Sequence, residues 1–101
     1  MYLKNNLKLK DGTFYVKGSP VSRFFFLSDR VTVITINDRD IRIATTRMYK
    51  YLKGFTKPPG KATVWKWMHN ECCKTVTGKK VEPDGTGPDG SPSWLRVLGL
   101  I

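Results

Sequence analysis

The run from Val31 to Ile43, VTVITI followed by NDRD and IRI, constrains the fold of this chain more than any other segment. Val31 and Val33, then Ile34 and Ile36, are spaced around Thr32 and Thr35, and such a β-branched run reads as a strand. Asn37-Asp38-Arg39-Asp40 reads as a hairpin loop, because Asn and Asp tolerate left-handed backbone and bond their own main chain. Ile41–Ile43 then reads as the returning strand. A hairpin alone is marginal in water, so its apolar side needs further strands or helices to cover it.

Both kinds of element are predicted nearby. Upstream, Thr13 to Lys17 alternates weakly, Gly18-Ser19-Pro20 has turn chemistry and Arg23 to Leu27 is a compact apolar run, so residues 2–36 read as β structure and the whole as a three- or four-stranded antiparallel meander. Downstream, Thr45 or Thr46 can cap a helix in which Met48, Leu52 and Phe55 recur at spacings of four and three, with Gly54 as its left-handed end. Lys57-Pro58-Pro59-Gly60 is a stiff break. Lys61 to Thr75 reads as a second helix, with Val64, Met68 and Cys72 on one stripe and Trp65, Cys72 and Val76 on the next. Residues 77–90 hold two turn tripeptides, Pro83-Asp84-Gly85 and Pro88-Asp89-Gly90, and read as a shaped surface loop. Ser91 and Pro92 then read as the cap and first turn of a last helix carrying Trp94, Leu95 and Leu98, stopped by Gly99, with the apolar Leu100 and Ile101 docked on the core. The expected fold class is α+β, a small antiparallel meander packed against two or three short helices, in a single domain over residues 1–101.

A 101-residue chain with 40% hydrophobic and 12% aromatic residues can build a core, which excludes a disordered basic tail. Its longest apolar run, Phe24 to Leu27, is too short to span a bilayer, and MYLKNNLKLK is not a secretion signal, so the expectation is a cytoplasmic protein with no membrane partner. The adjacent Cys72 and Cys73 are expected to be free thiols, since a disulfide between neighbours needs a strained turn. With His69 they make no zinc set, because structural zinc takes separated ligand pairs. Asp38 with Asp40 and Glu82 with Asp84 sit in turn sequences where Asp is expected for backbone reasons. Neither catalysis, nor a cofactor, nor a metal is expected.

The functional signal is charge. Of 18 Lys and Arg residues, seven lie between Ile41 and Asn70 with no Asp or Glu among them: Arg42, Arg47, Lys50, Lys53, Lys57, Lys61 and Lys66. Residues 1–40 hold seven basic against four acidic residues, and residues 71–101 hold four of each, so most of the net +10 is local. An ordinary solvated helix face mixes signs through i,i+4 pairs; this window accepts self-repulsion instead. Aromatic residues interleaved with it, Tyr49, Tyr51, Phe55, Trp65 and Trp67, point to a polyanion whose bases can stack on exposed rings. Residues two apart on a helix lie about 200° apart, so one tryptophan can serve the core while the other faces solvent. Trp65 is assigned to the core, and Trp67, with Tyr51, is the stacking candidate.

The strand GTFYVKG, the hairpin leading into RIATTRMYKYLKG, and the Pro-Pro-Gly that follows resemble the strand-then-helix layout of the DNA-binding modules that accompany phage HNH homing endonucleases. The likeness covers about half the chain, and the His-Asn-His constellation is missing. The closing GKKVEPDGTGPDGSPSWLRVLGLI is similar to the ends of small accessory proteins of temperate phages. The resemblance implies a phage accessory or regulatory protein that binds nucleic acid, DNA ahead of RNA, without cutting it. The alternative is a phage-encoded inhibitor or modifier that docks on a host nucleic-acid-processing enzyme, for which the same basic, aromatic composition would serve.

Overall fold

The Val31–Ile43 hairpin forms the centre of the computed structural model, which describes residues 1–101. In chain order the strands are β1 (Leu7–Lys8), β2 (Phe14–Tyr15), β3 (Arg23–Phe26), β4 (Val31–Ile36) and β5 (Arg39–Ala44); a 3₁₀ helix (Thr45–Lys50) and helix α1 (Lys61–Asn70) follow, then β6 (Cys73–Lys74), β7 (Lys80–Val81) and α2 (Trp94–Val97). Every pairing is antiparallel, in sheets β1-β2, β3-β4-β5 and β6-β7. The fold is a small α+β arrangement.

The loop between β4 and β5 is two residues, shorter than the Asn37–Asp40 loop predicted. Asn37 and Asp38 take φ of 51° and 62°, the left-handed pair of a type I′ turn, whose twist matches the strands it joins. Ile36 therefore pairs with Arg39, and the ladder runs on to Val31 opposite Ala44. In this register Ile34, Ile36, Ile41 and Ile43 face the core with Leu3, Leu7, Met48, Leu52, Val76, Trp94 and Leu95. Phe24, Phe26 and Phe55 pack edge-on or tilted at 5.4–6.0 Å between ring centroids, the aromatic side of that core.

The helical readings need correction. The stretch predicted as a helix from Thr45 to Gly54 is a 3₁₀ helix ending at Lys50, followed by turns. Neither threonine caps it: Ala44 is at the cap position, and the Thr45 hydroxyl is buried against Thr32 Oγ1 at 2.9 Å. Met48, Leu52 and Phe55 are all buried, and Gly54 has φ of 101°, so the periodicity marked burial while misassigning the helix type. Helix α1 stops at Asn70, five residues early, because Glu71 turns left-handed (φ 51°) and the chain re-enters extended backbone at Cys73. Thr75, Val76 and Thr77 are β-branched and side with that outcome. Cys72, predicted on both helical stripes, therefore lies beyond the helix and is half-buried, Cys73 is a buried strand residue, and both cysteines are free.

The segment read as loop contains β7, which returns to β6; Gly85 N–H and Gly90 N–H close the two Pro-Asp-Gly turns onto Glu82 and Gly87 carbonyls. The last helix is capped by Ser93, whose hydroxyl accepts the Arg96 N–H, rather than by Ser91. Ser91 bonds Asp89 and Thr77 instead. Leu100 and Ile101 are 43% and 58% exposed, so the chain end is not docked. No helix is long and apolar enough to cross a membrane.

Candidate functional site

All seven basic residues of the window are exposed, and none makes an ion pair. The three salt bridges join other cations to acids: Arg39 to Asp11, Arg96 to Asp29, and Arg23 to Asp40 at 3.9 Å. Of the eight acidic residues the chain has, three are thus committed outside the window.

The seven do not all line one groove. Arg42 and Arg47, with Tyr51, line a groove of about 620 Å³ between the stretch Leu7–Asp11 and the edge strand β5. Lys8, Lys10 and Arg39 complete its basic wall. These three lie outside the Ile41–Asn70 charge window, upstream or in the hairpin; the alternation Leu7-Lys8-Leu9-Lys10, one face apolar and one basic, is the sequence signal for two of them. Lys50 projects from the 3₁₀ helix, where residues three apart eclipse and so stack it over Arg47. Lys53 and Lys57 are on the turns and loop beyond, and Lys61 and Lys66 on α1; these, like Lys50, lie outside the groove.

The tryptophans exchange the roles assigned to them. Helix α1 faces the core through Val64 and Trp67, both half-buried, while Trp65 is 65% exposed. The inward side of α1 thus follows the 64/67 spacing rather than the 64/68 spacing of the predicted stripe, which leaves Met68 exposed with Trp65. Trp65 packs at a tilt of 42° against His69 one turn along, with ring centroids 4.1 Å apart. Trp67 is no free stacking platform. Tyr51 is half-buried at the groove, its ring against the core.

A second exposed ring lies on the outer face of the central sheet. Phe25, Val33 and Arg42 stand in one row across β3, β4 and β5, with Arg23 5.7 Å from the centre of the Phe25 ring. That face therefore offers an aromatic ring with the Arg23 guanidinium over it, and Arg42 two strands away in the same row. Asp40 on the same face accepts from Thr35 Oγ1 at 2.7 Å and lies beside Arg23.

At the end of the groove the Arg39 guanidinium donates to the Asp11 carboxylate at 2.7 Å and to Thr13 Oγ1 at 3.1 Å. The Arg39 hydrogen bond, with the Thr13 N–H behind it, holds the Asp11 carboxyl well below the ordinary carboxylate range, and Asp11 in turn raises Arg39. Outside the groove, Asp89 is also lowered, first by the Ser91 hydroxyl and then by Thr77. His69 lies against Trp65 and makes no side-chain hydrogen bond.

No family model matches this sequence, and no curated protein or solved structure matches it either.

Proposed function

We propose that this protein binds nucleic acid, DNA ahead of RNA, through electrostatic contacts to phosphates and without catalysing a reaction on it. One observation carries the reading: Arg42, Arg47, Lys50, Lys53, Lys57, Lys61 and Lys66 are all exposed and none is neutralised by an acid. Uncompensated cations repel one another in the folded state, and a polyanion relieves that repulsion as it binds. Phe25, with Arg23 over its ring, and Trp65 on α1 are the exposed rings available to meet bases. Trp67 no longer belongs among them. A phage accessory role agrees with this reading through the resemblance alone.

Replacing Lys50 and Lys53 by Glu tests it, since both side chains are exposed and neither contributes to the core. Duplex DNA affinity at low salt should fall by at least about tenfold with unchanged circular dichroism, as expected when two phosphate contacts become repulsive. Unchanged affinity would remove these lysines from the interface.

A second reading, docking on a host nucleic-acid-processing enzyme, is favoured by the exposed Trp65 and Met68 of α1 beside Lys61 and Lys66. Aromatic and basic residues of this kind supply the hot spots of protein interfaces. Trp65→Ala separates the two, because on this reading it abolishes enzyme capture and leaves DNA affinity intact.

A further inference from the structure

The groove between Leu7–Asp11 and β5 has a property that phosphate binding does not use. In the β4-β5 ladder, a two-residue turn makes Ile36 and Arg39 a hydrogen-bonded pair, and the Arg30 carbonyl accepting from the Thr45 N–H continues the same phase. The N–H and C=O of Asp40 and Arg42 therefore point away from β4, toward the groove, and no turn, loop or side-chain hydrogen bond meets them. The facing strand is similar. Leu9 N–H donates to Thr13, so the hydrogen-bonded positions of β1 are the odd ones, and the backbone of Lys8 points away from β2.

Two strand edges thus border one groove, each with free donors and acceptors. Its floor is apolar, formed by Leu7, Ile41 and Ile43. Lys8, Lys10, Arg42 and Arg47 line the rim, none of them ion-paired. Its two acids are already engaged, Asp11 with Arg39 and Asp40 with Thr35 and Arg23. Phosphodiester offers acceptors only and would leave the C=O groups of Asp40 and Arg42 without donors. A peptide strand supplies both.

We infer that this groove takes an extended segment of a partner protein, alternating apolar and acidic residues, which adds to β5 as a further antiparallel or parallel strand. Alternation follows from the period of two: one set of side chains meets Leu7, Ile41 and Ile43, and the other meets the lysines and arginines of the rim. Charged residues on an edge strand ordinarily discourage chance pairing, and here they select a segment of opposite sign. The inference stands independently of nucleic-acid binding, although Arg42 and Arg47 would serve both ligands, so that an acidic segment and DNA would compete there.

The test is a synthetic peptide alternating Val and Glu over about seven residues, a typical strand length, titrated into the full chain and followed by amide hydrogen exchange. Binding should slow exchange at Asp40 and Arg42 by at least about tenfold, as new ladder bonds do. A scrambled peptide of the same composition should give no such protection. Arg42→Pro removes an outward N–H without removing a ladder bond and should weaken the alternating peptide by at least about tenfold. If that variant fails to fold, Lys8→Glu with Lys10→Glu, at two exposed positions, should produce the same loss through charge. Equal binding of the scrambled peptide would overturn the inference, as would absence of protection at Asp40 and Arg42. Protection of those amides by a single-stranded oligonucleotide but not by the peptide would assign the groove to nucleic acid instead.

Discussion

The Arg39 guanidinium lies 2.7 Å from the Asp11 carboxylate, tying the β1-β2 hairpin to the edge strand of the central sheet across the end of the basic groove. A carboxylate whose folded pKa is depressed adds stability that is complete above its unfolded value of about 3.9 and is lost as pH falls toward the folded value. The pair is exposed, so its contribution is small and screened by salt. Asp11→Asn should therefore lower the melting temperature slightly at neutral pH, and the gap from the parent protein should close as the solution is acidified below about pH 4. A gap of constant size down to acid pH would mean that the ionised pair contributes nothing.

The tryptophans make a sharper comparison. Trp67→Ala opens space beside the core and should cost about 2 kcal/mol, less than the 3–5 typical of a fully buried aromatic. Trp65→Ala should change stability by no more than about 0.5 kcal/mol, as is usual for an exposed position. Chemical denaturation of the two variants decides the matter, and equal losses would mean that α1 sits with a different face inward.

Thr32 and Thr45 share a hydroxyl hydrogen bond of 2.9 Å inside the core, both nearly free of solvent. Thr45→Val alone leaves the Thr32 hydroxyl without that partner and should cost about 1–3 kcal/mol. Thr32→Val with Thr45→Val should recover most of the loss, since removing both partners can be nearly neutral. Additive losses in the double variant would show that the hydroxyls act independently.

Lys74 and Lys80 stand directly opposite each other in the β6-β7 ladder, and both are exposed. Like charges at such a pair are destabilising, so Lys80→Glu should gain about 0.2–1 kcal/mol at low salt, with the gain shrinking as salt is added. A loss of stability would indicate that Lys80 has a favourable contact elsewhere.

The central hairpin was legible because Asn37 and Asp38 are among the few residues that accept left-handed backbone, and because Val31–Ile36 has no competing helical pattern. Met48, Leu52 and Phe55 were likewise legible as core, as regularly spaced apolar positions in a polar stretch, although only Met48 lies within the 3₁₀ helix. The ends of α1 and the sides of its tryptophans were not. Glu71 carries no local signal for a left-handed cap, and three apolar residues at 64, 67 and 68 fit two neighbouring stripes that only tertiary packing distinguishes. The same limit applied to the candidate site. A window of charge found Arg42 and Arg47, but Lys8 and Lys10 join them only across a groove whose walls lie more than thirty residues apart in sequence.

Salt titration of duplex DNA binding bears most directly on the central claim that the unpaired cations between Ile41 and Asn70 hold phosphates. If five to seven of the window's basic residues make phosphate contacts, the logarithm of the association constant should fall linearly with the logarithm of salt concentration, with a slope of about −4 to −6. No binding at low salt, or a slope near zero, would contradict the account.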